Sequence, residues 1–164
     1  YEWVKVIVSA FATAFLITRI VTPSLVVGTS MYPTFNEKDY LVVSKIAYIK
    51  NLPDYNDIIL FNSHFKDEKI LIKRVIAKEN DRIQIKDSKV YVNGTELNED
   101  YIYENIFWGE IDEVVPEGKV FVMGDNRNNS ADSRYPEIGF VDEDEIVGKV
   151  VFRLYPFDKI GKEW

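Results

Sequence analysis

Residues 3–22 read WVKVIVSAFATAFLITRIVT, and only Lys5 and Arg19 carry charge in that run. No other stretch limits the architecture of the chain so strongly. The 13 uncharged residues between those two charges are too few to cross a bilayer by themselves. Taken whole, the run as a helix rising ~1.5 Å per residue spans roughly 30 Å, the thickness of the hydrocarbon layer. Lys5 and Arg19 lie near its ends, where long side chains snorkel to the interface. Tyr1 and Trp3 suit an aromatic belt, and Pro23 is expected to end the helix because its ring interrupts the hydrogen-bond ladder. A core helix, a surface-lying helix and a cleaved signal peptide compete with this reading. The last lacks a small-residue cleavage site before the polar body begins. The expectation is a membrane anchor over residues 1–22.

Beyond Pro23 the pattern changes to short β-branched and aromatic runs separated by turn residues. Strands are predicted at Ser24 to Val27, Asp39 to Ala47, Asp57 to Asn62, Lys69 to Lys78, Arg82 to Lys86, Lys89 to Val92, Lys119 to Met123 and Ile146 to Tyr155. Asn93-Gly94 marks a hairpin turn, since both residues tolerate positive φ. From Val90 to Gly118 the chain holds eight acidic residues and no basic one. This stretch and Asp142–Glu145 read as solvated faces. The predicted class is mainly β: one all-β domain over residues 23–164, with about 79–118 as a small inserted subdomain.

Composition narrows the chemistry. With no cysteine, a disulfide framework, a Cys-ligated metal and a thiol nucleophile are all excluded. A single histidine cannot build a His-rich metal site, and any Ser-His-Asp triad would have to use His64. The net charge of −7 argues against nucleic acid as a partner, since phosphate binding rests on clustered Lys and Arg. Neither metal nor cofactor is expected.

Three segments carry residues that suit neither a core nor an ordinary turn. In Gly28-Thr29-Ser30-Met31-Tyr32-Pro33-Thr34, Ser30 follows a strand end and a glycine that permits close backbone approach. Its hydroxyl can face a substrate while its own N–H faces a developing oxyanion. In Ile70–Ile76, strand alternation puts Leu71, Lys73 and Val75 on one face and Ile72, Arg74 and Ile76 on the other. A lysine in an apolar face is costly while charged, and burial lowers its pKa from about 10.4, which can make the amine a general base. An edge strand with Lys73 reaching solvent is the alternative. The third segment, Gly124-Asp125-Asn126-Arg127-Asn128-Asn129-Ser130-Ala131-Asp132-Ser133-Arg134, follows directly on the apolar run Val120–Met123. A hydroxyl there, such as Ser130, could orient the amine, and Asp132 with Arg134 could brace the loop.

Together these segments closely resemble the type I signal peptidases, membrane-bound serine proteases that remove signal peptides from exported proteins. Ser30-Met31-Tyr32-Pro33-Thr34 is similar to the family's nucleophile box, Lys73-Arg74-Val75 to its base box, and Gly124 to Arg134 to its third box. The resemblance implies a signal-peptidase-like antiparallel β fold behind a transmembrane helix, with Ser30 as nucleophile and Lys73 as general base. It further implies that Ser130 holds the amine, that Asp132 and Arg134 form a supporting ion pair, and that Met31 packs beside the nucleophile and helps line the pocket. Gly28 stands where some members carry a hydroxyl as a second oxyanion donor. Asn56-Asp57 and Ala77–Asp81 also depart from the family's turns. Substrates would be signal-peptide-bearing precursors, their small side chains entering shallow pockets near Ser24–Val27 and Ile70–Leu71. The protein would cross the lipid bilayer once, with the catalytic domain on the extracytoplasmic face. Lys5 favours a cytoplasmic N-terminus, while Arg19 at the other end opposes that inference.

Other functions remain open at this point. A self-cleaving repressor-type protease shares Ser/Lys chemistry but needs a DNA-binding domain. A catalytically inactive, tethered β domain could bind extended peptides, yet would need none of Ser30, Lys73 and Ser130. A His64-based hydrolase would draw its base from a polar loop.

Overall fold

The computed structural model describes residues 1–65, 70–161 and 164. Helix α1 (Glu2–Ile20) is followed without a linker by strand β1 (Val21–Leu25). No α1 residue is buried, and the helix is long and apolar enough to cross a membrane. Its last carbonyls, left without intrahelical donors, are taken by Lys45: the backbone N–H donates to Ile20 O at 2.8 Å and Nζ to Thr18 O at 3.1 Å. The helix therefore ends before Pro23 and for a different reason than predicted. Pro23 sits inside β1 opposite Val42, which is tolerated because β1 is the edge of its sheet.

The remaining strands are β2 (Tyr40–Ser44), β3 (Ile58–Asn62), β4 (Ile70–Ala77), β5 (Arg82–Lys86), β6 (Lys89–Val92), β7 (Thr95–Glu96), β8 (Ile111–Val114), β9 (Lys119–Met123), β10 (Val141–Asp142) and β11 (Ile146–Tyr155). They form a seven-stranded sheet in the order β1-β2-β11-β3-β4-β9-β10 and a four-stranded sheet in the order β7-β6-β5-β8. All these pairings are antiparallel. The predicted runs reappear unchanged in β5, β6, β9 and β11, with trimmed ends in β2, β3 and β4, and shifted toward the N-terminus in β1. Lys69, the expected start of the fourth, lies outside the described residues, as do Lys66 and Asp67 of the His64 loop.

The acidic stretch after Lys89 contains one strand that periodicity alone does not suggest. Strand β8 pairs with β5 through Ile111↔Ile85 and Arg82↔Val114, while Asp112 and Glu113 stay at the surface. Arg82 grips Asp112 with two hydrogen bonds, at 2.6 and 2.7 Å. The second acidic run becomes a short 3-10 segment, Glu143–Glu145, capped by the Asp142 side chain.

Three apolar clusters hold the body together. Val26, Met31, Phe35, Leu41, Ile58 and Val150 form the one beneath the Ser30 turn. Ile59, Phe61, Val75, Val120 and Val122 form a second. Ile76, Ile83, Ile85, Val90, Phe121 and Met123 join the two sheets in a third. Strand β4 contributes to all of these layers or borders them, so it is covered on both faces. An alternating strand buried in this way carries its polar residues into the interior, and that is how Lys73 and Arg74 come to be 2% and 1% exposed.

Candidate active site

Ser30 and Lys73, 43 residues apart in sequence, meet although β1 and β4 are not neighbours in the sheet: the turn after β1 packs through Met31 against Ile58 and Leu60 of β3 and Ile72 of β4. Lys73 Nζ donates to Ser30 Oγ at 2.9 Å and to the Ile72 carbonyl at 2.9 Å. Both lie in a cleft of about 640 Å³. One wall is the chain from Ser24 to Ser30, another is Ile70–Lys73, and Asn128–Ala131 with Tyr135 close the third side. The amine is thus within reach of the proton that it would abstract.

The loop after β9 supplies the floor. Gly124 lies so close to the Ser30 turn that a Cβ on it would stand 2.3 Å from Ser130 Oγ and 2.5 Å from Ser30 O. Glycine is required there by space. Asp132 accepts from the Gly124 N–H at 3.0 Å and pairs with Arg134 at 2.8 Å, both side chains being fully buried. Arg134 also donates to the Arg127 carbonyl, so the loop is laced to itself as well as to the strand.

Comparison with known proteins now decides the family. The model described as signal peptidase, peptidase S26 matches residues 1–155. The chain belongs to that family. Signal peptidase I T of Bacillus subtilis is 40% identical, over 97% of this chain and 87% of its own length. Signal peptidase IB of Staphylococcus aureus is 34% identical, over 96% and 91%. The crystal structure of a signal peptidase I from Enterococcus faecalis is 33% identical and superposes with a TM-score of 0.52, covering 59% of this chain and 95% of that one.

The remaining residues singled out in this signal peptidase sequence fall into place unevenly. Ser130 is 6% exposed and lines the cleft, but its Oγ makes no hydrogen bond among the described residues. The amine donates to the Ile72 carbonyl and to Ser30. Met31 is 1% exposed and packs into the core beneath the turn. It does not stand on the cleft wall: with Ser30 facing the cleft, the next side chain turns inward. Gly28 has φ +82, and the space around it is open. The constraint there is the left-handed backbone. His64 is exposed in the loop after β3.

Sequence reasoning missed a buried ion pair. Arg74, next to the candidate base, donates to Asp125 through Nε at 2.8 Å and Nη2 at 2.7 Å, while Thr34 Oγ1 donates to the same carboxylate. Tyr101 lies over the Arg74 guanidinium at 4.0 Å. Burial, together with Glu99, pushes its hydroxyl pKa well above the usual tyrosine value. Glu99 in turn pairs with Arg127, where burial opposes the guanidinium charge but the carboxylate outweighs it and raises the pKa. Complementary charges next to apolar strand runs, Arg74 in Ile70–Ile76 and Asp125 after Val120–Met123, were the available signal.

Proposed function

We propose that this membrane-tethered signal peptidase hydrolyses its substrates with a Ser30/Lys73 dyad. Family membership makes the chain a serine endopeptidase that cleaves signal peptides. The observation that carries the dyad is the 2.9 Å hydrogen bond from a 2%-exposed lysine amine to the Ser30 hydroxyl. Lys73 acts as the neutral amine. It takes the proton of Ser30 Oγ as that oxygen bonds to the scissile carbonyl carbon, and the carbonyl electron pair moves to oxygen. The Ser30 N–H stabilises the oxyanion. On collapse the C–N bond breaks and the ammonium of Lys73 returns the proton to the leaving amine. Water, deprotonated by the same amine, then releases the acyl group from Ser30.

Asp132 and Arg134 brace the loop beneath the dyad, Ser130 closes the cleft over the amine, and Met31 anchors the nucleophile turn from below. Gly28 leaves the first oxyanion contact to backbone. The substrate chain lies extended, adding to the open edge of β1, whose sheet partner is β2 alone. Small side chains before the cut enter pockets near Leu25, Val27, Ile70 and Leu71. Helix α1 crosses the bilayer once and holds the catalytic domain, residues 23–164, on the extracytoplasmic face. This tether raises the effective concentration of precursors embedded in the same membrane. Neither metal nor cofactor takes part, and residues 79–118 serve as an inserted subdomain.

The test is processing of a signal-peptide-bearing precursor by Ser30→Ala and Lys73→Ala. Each is expected to lose at least about 10³-fold in rate. Ser130→Ala should lose at least ten times less than Lys73→Ala, because Ser130 Oγ makes no hydrogen bond among the described residues and the bonds from the amine to Ser30 and Ile72 remain. Wild-type processing by either dyad variant would rule the mechanism out.

A further inference from the structure

The nucleophile turn is held from one side by a residue that the chemistry does not use. Asn126 is 7% exposed and makes two bonds to that turn. Its backbone N–H donates to Ser30 O at 3.0 Å, and its side-chain Nδ2 donates to Thr29 O at 3.1 Å. A carbonyl oxygen can only accept, so the side-chain atom facing Thr29 must be the amide nitrogen. The two carbonyls so gripped flank the Ser30 N–H.

The Thr29 carbonyl and the Ser30 N–H belong to one planar trans peptide and point in opposite directions. Fixing the carbonyl toward Asn126 therefore fixes the N–H away from it. Among the described residues no acceptor takes that N–H, and Thr29 and Ser30 both line the cleft. The only other donor to Thr29 O among the described residues is the Tyr32 N–H, at 3.1 Å within the turn itself. That bond moves with the turn and cannot anchor it to the rest of the fold. Asn126 can, because it follows Gly124-Asp125, and Asp125 is locked to Arg74 of β4. Strand β4 also carries Lys73. The peptide plane of the nucleophile and the candidate base are thus referred to the same strand.

We infer that Asn126 is a positioning residue: its side-chain amide orients the Thr29–Ser30 peptide so that the Ser30 N–H is aimed, before substrate arrives, at the place where the oxyanion forms. This rests on the Ser30/Lys73 reading above. A donor so placed contributes only if it needs no reorganisation in the transition state, so loss of the anchor should fall on kcat and spare KM.

The test uses the full chain in detergent micelles with Asn126→Ala and the isosteric Asn126→Asp, whose carboxylate faces the Thr29 carbonyl with a like partial charge. Both keep the backbone N–H to Ser30. Expected is a fall in kcat of about 10–100-fold with KM within threefold, less than the 10²–10³ for removing an oxyanion donor outright. A peptide boronic acid, which bonds to the serine oxygen and places an oxygen in the oxyanion site, should bind both variants more weakly by the same factor. The thermal midpoint, measured alongside, excludes unfolding, and Asn126→Asp carries the test should Asn126→Ala not fold. A kcat within threefold of wild type in the folded variants would overturn the inference. So would a fall in kcat with boronate affinity unchanged. If Ser30→Ala still processes precursor, the dyad reading has failed. If Ser30→Ala is inactive and the Asn126 variants are not impaired, only the present inference has.

Discussion

At the scale of single residues, the site is defined by how closely backbone and side chains are allowed to approach. Gly124 illustrates this best. Any side chain there would overlap the Ser30 carbonyl and the Ser130 side chain, and overpacking of this kind costs about 1–3 kcal/mol when the surroundings must shift. The atoms that must shift belong to Ser130 and to the turn that carries Ser30, the proposed nucleophile. Gly124→Ala is therefore expected to reduce peptide hydrolysis by at least about 100-fold, out of proportion to a stability loss of that size, as read by kcat beside the thermal midpoint. Gly28 differs, because its surroundings are open and only its positive φ matters. Arg74 and Asp125 make the complementary point: a buried charge pair is tolerated because the carboxylate accepts two bonds from the Nε/Nη2 edge of the guanidinium and one from Thr34.

Among the elements, the short 3-10 segment Glu143–Glu145 gives a pH test of local electrostatics. Burial, and then the neighbouring Glu79, Asp142 and Asp144, push the Glu143 carboxyl above its ordinary pKa. A carboxyl raised in the folded state binds its proton more tightly there than in the unfolded chain. Stability is therefore lost as pH rises past the unfolded value of about 4.3. Glu143→Gln removes that loss: the thermal midpoint should rise by roughly 1–2 °C at pH 7 and match wild type near pH 3. Legibility from sequence also varies by element. Strands β5, β6, β9 and β11 appear with their predicted bounds because alternation and turn residues mark both ends. The bounds of β1 do not, since the signal expected from Pro23 is overridden when Lys45 caps the helix three residues earlier. Strand β8 hides in Ile111-Asp112-Glu113-Val114, whose pairing with β5 is bought by a cross-strand Arg82–Asp112 contact that no local pattern reveals. The meeting of Ser30 and Lys73 was legible only through the three boxes taken together. The buried partners of Arg74 and the grip of Asn126 depend on pairings far apart in sequence.

For the whole molecule, the division of labour lies between an apolar helix with no buried residue and a β body with its own three cores. Removal of residues 1–20 should leave the thermal midpoint of the body within a few degrees of the full chain and preserve hydrolysis of a short soluble peptide. Processing of precursors embedded in the same vesicles should fall by about 10²-fold or more, the scale of a lost tether. Within the body, everything converges on one amine: both faces of β4 are covered, and Lys73 Nζ donates to the Ser30 hydroxyl and to the Ile72 carbonyl in the cleft. The decisive measurement is the protonation state of that amine, followed by NMR of ¹⁵Nζ-labelled lysine in the full chain and assigned by its absence in Lys73→Ala. A dyad in which lysine is the base predicts a neutral Lys73 amine at the pH of maximal activity, titrating in step with the acid limb of kcat/KM. An ammonium signal that persists through the range where activity rises would contradict it.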